Sequence, residues 1–148
     1  RKLINHDPIP VLSNPGSPLE FIMKRQKKRS MIFLISDFLS QRFENELKFC
    51  SHKNDLVAIQ IIDPAEIELP RAGKVYVNNP ENDRSYLVDT DDNTIQENYK
   101  DQRNKWQENL DIDFKLNKID HLKVINDENC DPAKALKILF KSRATSKN

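Results

Sequence analysis

Two short apolar runs stand out from a mostly polar chain. Met31 to Ile35 are five consecutive apolar residues that break into Ser36 and Asp37, and Leu56 to Ile62 is apolar apart from Gln60 and stops at Asp63-Pro64. Apolar runs of this length, bounded by turn formers, predict strands buried on both faces, the signature of a parallel sheet. Between them Leu39, Phe43, Leu47 and Cys50 recur at helical spacing, so an intervening helix has one apolar face, and Ser40 stands where it can cap that helix. Asn54-Asp55 supply the break before the second run. Strand, helix, strand is a βαβ unit, with a right-handed crossover expected.

The pattern then changes. Lys74 to Val77 and Tyr86 to Val88 are β-rich and flank Asn79 to Asp83, a cluster of turn formers, so an antiparallel hairpin is inserted here. Asp91 or Asp92 caps a long helix in which Ile95, Tyr99, Trp106 and Leu110 recur on one face. Gln96, Glu97, Lys100, Asp101, Arg103, Lys105 and Glu108 fall on its wet face. The stretch Asp111 to Asn117 either extends that helix or ends it. His121 to Ile125 is a third strand, more polar and so nearer an edge. Asp131-Pro132 is an N-cap followed by proline at the first helical position, and Ala133, Leu136, Leu139 and Phe140 form the expected buried stripe of a closing helix. At the other end, Pro8, Pro10, Pro15 and Pro18 mark residues 1–18 as an extended, Pro-rich lead-in. Leu19 to Arg29 reads as a short helix ending in a basic run. The fold class expected is α/β, a short parallel, Rossmann-like sheet with flanking helices and an inserted antiparallel β-hairpin.

Composition narrows the function classes. The chain has 148 residues, enough for one domain, and a net charge of +1, so no global field draws it to nucleic acid or a membrane surface. No apolar run approaches the ~20 residues of a membrane span, and no signal-peptide pattern is visible. The chain opens at Arg1 without an initiator Met and reads as a fragment, a processed product or an excised piece. Gly16 and Gly73 are two glycines in all, which excludes a Gly-rich phosphate loop. Cys50 and Cys130 lack CxxC or metal spacing and read as reduced thiols, which suits a cytoplasmic protein. His6, His52 and His121 have no partners at catalytic or metal spacing, and neither GxSxG nor HExxH occurs, so an enzyme is not expected.

The candidate chemistry centres on Asp37. In open α/β sheets ligands bind beyond the carboxyl ends of the strands, and Asp37 sits there, a carboxylate able to hold a divalent cation. Against this, Asp at that place also caps the following helix. Asp37, Asp63 and Asp127 all follow predicted strands, and parallel strands would put them on one rim. Asp89-Thr90-Asp91-Asp92-Asn93-Thr94 resembles both the haloacid-dehalogenase nucleophile motif DxD and the start of an EF-hand Ca²⁺ loop. Neither completes: Asn93 stands where the first wants Thr or Val, and Thr94 replaces the glycine of the second. An acidic helix start accounts for the stretch. The basic run Lys24 to Arg29 has no interleaved aromatics, and the end of a helix accounts for it without nucleic acid. Trp106 and Tyr99 read as core residues.

Taken together, Arg29 to Leu39, the segment His52 to Val77, the run Tyr86 to Thr90, Tyr99 and Arg103 on the long helix, Ile119 to Asp127 and the closing helix resemble the domain-of-unknown-function 58 (DUF58) family over roughly residues 29 to 143. Its most specific parts are the pattern Asp63, Pro64, Glu66, Leu69, Pro70, Gly73 and the run Val88 to Thr90. The resemblance implies a von Willebrand factor A-like domain, and an association with MoxR-type AAA+ ATPases in the maturation or assembly of other proteins. Such domains build a metal-ion-dependent adhesion site from a DxSxS motif after the first strand, a later Thr, and an Asp after the fourth strand. Asp37 matches the last of these, and no DxSxS occurs in the chain. Residues 19–148 would then be the C-terminal half of such a domain, with Mg²⁺ held only when the N-terminal half is present.

The leading expectation is thus a protein-interaction module. A metal-dependent hydrolase using Asp37 with Asp63 or Asp127, or a degenerate fragment without a site, are the alternatives. A half sheet leaves the edge of its first strand unpaired and the stripe Met31, Phe33, Ile35 in need of cover. That cover would come from a second copy, giving a homodimer, or from the Pro-rich segment.

Overall fold

The computed structural model describes residues 16–39, 43–79, 84–128 and 130–145. Helix α1 (Gly16–Arg25) leads into strand β1 (Met31–Ser36), helix α2 (Glu44–Lys53) and strand β2 (Asp55–Ile62). A one-turn helix α3 (Pro64–Ile67) precedes the hairpin β3 (Lys74–Asn79) and β4 (Arg84–Asp89). Helix α4 (Asn93–Leu116), strand β5 (Asp120–Ile125) and helix α5 (Pro132–Thr145) complete the order. The architecture is α/β. Three strands form a parallel sheet in the order β1-β2-β5, and β3-β4 form a separate antiparallel pair. Phe33 pairs with Val57 and Ile59 with Leu122, so the apolar centres of the strands lie side by side.

The sheet separates two cores because strand side chains alternate. Leu56 and Ala58 face a cluster with Leu19 of α1, Leu47 and Cys50 of α2, and Phe114 of α4. Val57 and Ile59 face the other side, where Val124 and the Leu136 and Leu139 side chains of α5 pack. The polar β5 is an edge strand, as its composition predicts. The expectation for β1 is corrected. Ile32 is buried, but Met31, Phe33 and Ile35 are 45%, 44% and 63% exposed. The cause is that β1 is the other edge and that α5 covers β2 and β5. Phe140 reaches Phe33 edge-on at 6.2 Å between ring centroids and stays 42% exposed. Ala133 is exposed as well, so the stripe of α5 is Leu136 and Leu139. Arg143 ends that stripe, with Nη2 on Asp55 Oδ1 at 2.7 Å and a second bond to Asp120, so one cation ties α5 to the starts of β2 and β5.

Helix boundaries moved for local reasons. α1 opens at Gly16, inside the expected lead-in, because Pro18 falls in the first turn where its missing N–H is not needed. The rest of the lead-in lies outside the described residues, as does Ser40, the expected cap of α2. α2 instead starts after Phe43 with no side-chain cap, and Leu39 is outside it and 52% exposed. α4 runs through the stretch left open by the sequence and ends at Leu116. Ile119 N–H donates to Phe114 O at 2.9 Å and Lys118 N–H to Lys115 O at 3.1 Å. This is a Schellman ending, and its turn residue Lys118 has φ 53°, the left-handed conformation that glycine adopts without penalty. Lys118→Gly should therefore raise stability by about 1 kcal/mol, read as a higher urea midpoint at unchanged slope.

Candidate functional site

The carboxyl rim of the sheet comes first, because Asp37 was expected to act there. Asp37 is exposed, and its Oδ1 accepts from Leu39 N–H at 3.1 Å and from Ser36 Oγ at 3.4 Å. Phe38 between them has φ 61°, costly for a bulky residue, and is held there by its ring, which is buried edge-on to Phe114 at 5.2 Å. The carboxylate thus closes a tight turn. Asp63 caps α3: its Oδ1 accepts from Ala65 N–H at 2.8 Å while Glu66 returns a bond to Asp63 N–H. Among the described residues, no group of three His, Cys, Asp or Glu side chains is placed to hold a metal ion. The rim does not gather Asp37, Asp63 and Asp127 into a cluster.

The sequence elements that carried the family resemblance gather elsewhere, at the base of the hairpin. Thr90, 2% exposed, accepts Ala72 N–H on its hydroxyl at 2.8 Å and donates that hydroxyl to Gly73 O at 2.9 Å. Its own N–H also reaches Gly73 O. Gly73 has φ +67°, so its missing side chain permits the turn that launches β3. Arg71 clasps the start of α4, donating to Asp91 O at 2.8 Å and Asn93 Oδ1 at 2.9 Å. Asp92 is the N-cap of α4, accepting from Thr94 and Ile95. Gln96 donates to Leu69 O at 2.9 Å and Thr90 O at 2.6 Å, and Tyr99 Oη donates to Ala65 O at 2.9 Å. Burial raises the Tyr99 phenol above its ordinary pKa, which suits its role as a donor.

Gln96 and Arg103 were expected on the wet face of α4, and Tyr99 in the core. The structure corrects this. Gln96 and Tyr99 are half-buried supports of the hairpin base, and Arg103 is 12% exposed, facing Glu66 of α3 and stacked 4.5 Å over Trp106. The backbone carbonyls of an irregular loop need donors, and long polar side chains supply them. Helical periodicity carries no trace of that demand. Trp106 packs against the core as expected.

Beyond this base the hairpin packs chiefly on itself. Tyr76 pairs with Leu87 and Val77 with Tyr86, so the two pairs lie on opposite faces. They are 75%, 56%, 47% and 48% exposed in that order. Beside the base runs an open groove of about 570 Å³, lined by Pro64, Leu69, Pro70, Arg71, Tyr99 and Lys100 among others. The arrangement is an apolar finger tied at its base by hydrogen bonds from Thr90, Arg71, Gln96 and Tyr99.

The helix that carries the mount is fixed to the sheet by a polar network. Gln60 of β2 is fully buried and exchanges amide bonds with Gln107 at 3.1 and 3.2 Å. Gln107 also donates to Asp111, which accepts Lys123 Nζ at 2.7 Å. His121 lies between, with Nδ1 3.0 Å from Asp111 Oδ1 and Nε2 3.0 Å from Gln60 Oε1. Burial pushes the imidazole below its ordinary pKa, and Asp111 opposes this while Lys123 adds to it. Burial alone would raise the Asp111 carboxyl, but the hydrogen bonds from Lys123 and Gln107 hold it low. Cys50 and Cys130 are free thiols, and burial raises the pKa of Cys50, which makes it inert.

A family model described as protein of unknown function DUF58 matches residues 1–109. The chain belongs to the DUF58 family. The match takes in β1, β2, the hairpin and its mount, and stops within α4, whereas the sequence resemblance ran on to α5. An uncharacterized protein of Mycobacterium avium is 26% identical over 85 residues, 55% of this chain and 50% of that protein. The chain spans about half the length of that curated relative. No solved structure matches it.

Two outcomes follow from this geometry. With its carboxylate engaged in a turn and no group of three ligating side chains around it among the described residues, Asp37 should give no micromolar Mg²⁺ binding to this chain by calorimetry. The unfolded chain takes up the His121 proton near pH 6.5 and the folded chain only at lower pH. The stabilisation that this group contributes is therefore present above about pH 6.5 and is lost as pH falls through the folded value. Urea midpoints at about pH 7 and pH 5 should differ less for His121→Asn than for the natural chain.

Proposed function

We propose that the chain is a protein-interaction module of a cytoplasmic, von Willebrand A-like protein, and that it assists a MoxR-type AAA+ ATPase in maturing or assembling other proteins. The observation that carries the reading is the hairpin. Four large apolar side chains on its two faces stand clear of the sheet, two of them tyrosines. Contiguous exposed apolar surface marks interaction sites, and tyrosine is enriched in the cores of interfaces. A finger apolar on both faces suits a partner with a cleft, since a flat surface would cover one face and leave the other wet.

Membership of the DUF58 family and the parallel order β1-β2-β5, with Asp37 at the carboxyl end of β1, support reading the sheet as the C-terminal half of a von Willebrand A-like domain. Asp37 would then meet Mg²⁺ in company with residues outside this chain. The free cysteines support the cytoplasmic assignment.

The test is binding to a purified MoxR-type ATPase by surface plasmon resonance. The double variant Tyr76→Ser/Leu87→Ser should weaken the complex at least tenfold while its circular dichroism stays unchanged, since both residues are exposed. Two such side chains carry about 1 kcal/mol or more each when they sit at the centre of an interface. Undiminished binding by this variant and by Val77→Ser/Tyr86→Ser would remove the hairpin from the reading, and no binding by the natural chain would remove the ATPase.

A further inference from the structure

We propose that the end of the molecule where the sheet strands begin docks on the surface of an anionic phospholipid bilayer. The inference is independent of the hairpin, which is mounted at the far end of α4. Helices α1, α2 and α4 each lead into a strand of one parallel sheet, so their C-termini come to the same end. They also lie on one side of the sheet, where Leu19, Leu47 and Phe114 share a core.

Charge is segregated along this axis. Lys27, Lys28 and Arg29 lead into β1, Lys53 into β2, and Lys115 and Lys118 into β5, and all six are exposed. The acids beside them, Asp55 and Asp120, are already bound by Arg143, and Asp113 is half-buried on α4. A helix dipole favours cations in a last turn, which accounts for Lys53 and Lys115. It does not account for the whole basic run after Leu19. Helix α1 stops at Arg25, and Lys27, Lys28 and Arg29 lie beyond it, as Lys118 lies beyond α4. Asp37, Asp63, Asp92, Asp127 and Asp131 follow the strands or start the helices at the opposite end. β1 alone is about 20 Å long, and charge is felt over only ~10 Å in about 0.1 M salt. A surface touching the basic end meets the cations and not the acids, so the net charge of +1 does not describe what it meets.

The same end carries exposed hydrocarbon. Phe21, Phe49, Ile112 and Leu116 fall within the last five residues of their helices and are 61%, 62%, 53% and 75% exposed. Arg25 lies over the Phe21 ring, 5.4 Å from its centroid. Large apolar side chains set among lysines and arginines suit the headgroup layer, where the apolar groups enter and the cations stay level with the phosphates. A nucleic acid would use the charges but offers nothing apolar to Ile112 and Leu116. Residues 1–15 join the chain at Gly16, the end of α1 away from Lys27, and residues 40–42 follow the far end of β1. A neighbour along the edge of β1 would lie beside the basic end and not across it.

Co-sedimentation of the full chain with vesicles tests this. In about 0.1 M salt the natural chain should bind vesicles of phosphatidylcholine and phosphatidylglycerol in equal parts, and not vesicles of phosphatidylcholine alone. Lys27→Glu/Lys28→Glu/Arg29→Glu should lower the affinity at least tenfold, since each cation near such a surface is worth about fivefold. Lys74→Glu/Lys100→Glu/Lys134→Glu makes the same charge change away from that end and should lower it far less. Phe21→Ser/Phe49→Ser/Leu116→Ser keeps every cation and should lower vesicle binding about tenfold at unchanged circular dichroism. The hairpin variant Tyr76→Ser/Leu87→Ser should bind vesicles normally, which separates this proposal from the ATPase reading. No binding of the natural chain to the anionic vesicles would overturn the proposal, and so would equal losses from the two charge-changing variants. Vesicle binding that the apolar variant leaves intact would also overturn it, and a random DNA duplex that then displaced the vesicles would make this end a nucleic-acid surface.

Discussion

A primary amide buried in the middle of an apolar strand dictates where the longest helix must lie. Gln60 is fully buried among Ala58, Ile59 and Ile62 of the central strand. An unpaired amide there would cost about 1–3 kcal/mol, so partners must come to it. Gln107 of α4 supplies a reciprocal pair of bonds, and His121 of β5 lies beside them with Nε2 3.0 Å from Gln60 Oε1. Asp111, one turn further along α4, holds Gln107, His121 and Lys123 at once. The network thus sets α4 in rotation and height against β2 and β5, which apolar packing alone would leave free to slide. From this anchor α4 runs on toward the hairpin, and Arg103, Tyr99 and Gln96, about one to three turns before Gln107, meet α3 and the loop that launches the hairpin. Gln60 and the hairpin are remote in the chain but linked through one rigid rod.

Much of this was legible in the sequence because it follows from short-range pattern. The apolar runs at Met31 and Leu56 gave parallel neighbours, the polar run at His121 gave an edge strand, and Asp92 and Asp131-Pro132 gave helix starts. Continuity of an apolar run, however, says that a strand is hydrophobic, not that both faces are covered. The cover of Met31, Phe33 and Ile35 depends on how many helices the chain sends to that side, a property of the whole topology. Lys118 in a left-handed turn was equally hidden, since glycine is the usual signal there and lysine gives none.

The candidate site was visible in outline and misread in its details. Asp37 drew attention by its place after a buried run, yet its turn and the backbone of Phe38 account for it locally. The pattern from Asp63 to Gly73 was singled out for its specificity without a physical reason, and the structure supplies one. Asp63 and Glu66 cap a single turn, Gly73 permits a left-handed residue, and Thr90 closes the neck of the hairpin with three bonds to the chain before it. Gln96 was invisible because a glutamine that satisfies two loop carbonyls has the same helical phase as one that faces water.

The two exposed apolar features differ in a way that bears on what each is for. The stripe on β1 belongs to the main sheet and is covered in part by α5, whose Phe140 meets Phe33 edge-on. The hairpin has already paired its own strands along their facing edges and presents side chains on both faces, which under the proposed interaction role suits an enclosing surface. A feature that only needs cover can be loosely placed, because the cover will adapt to it. The hairpin is instead fixed through Thr90, Arg71, Gln96 and Tyr99 to a helix that is itself locked to the sheet. Under the proposed interaction role, holding the finger in one orientation would lower the entropy lost on enclosing it, so the mount would raise affinity without contributing a contact.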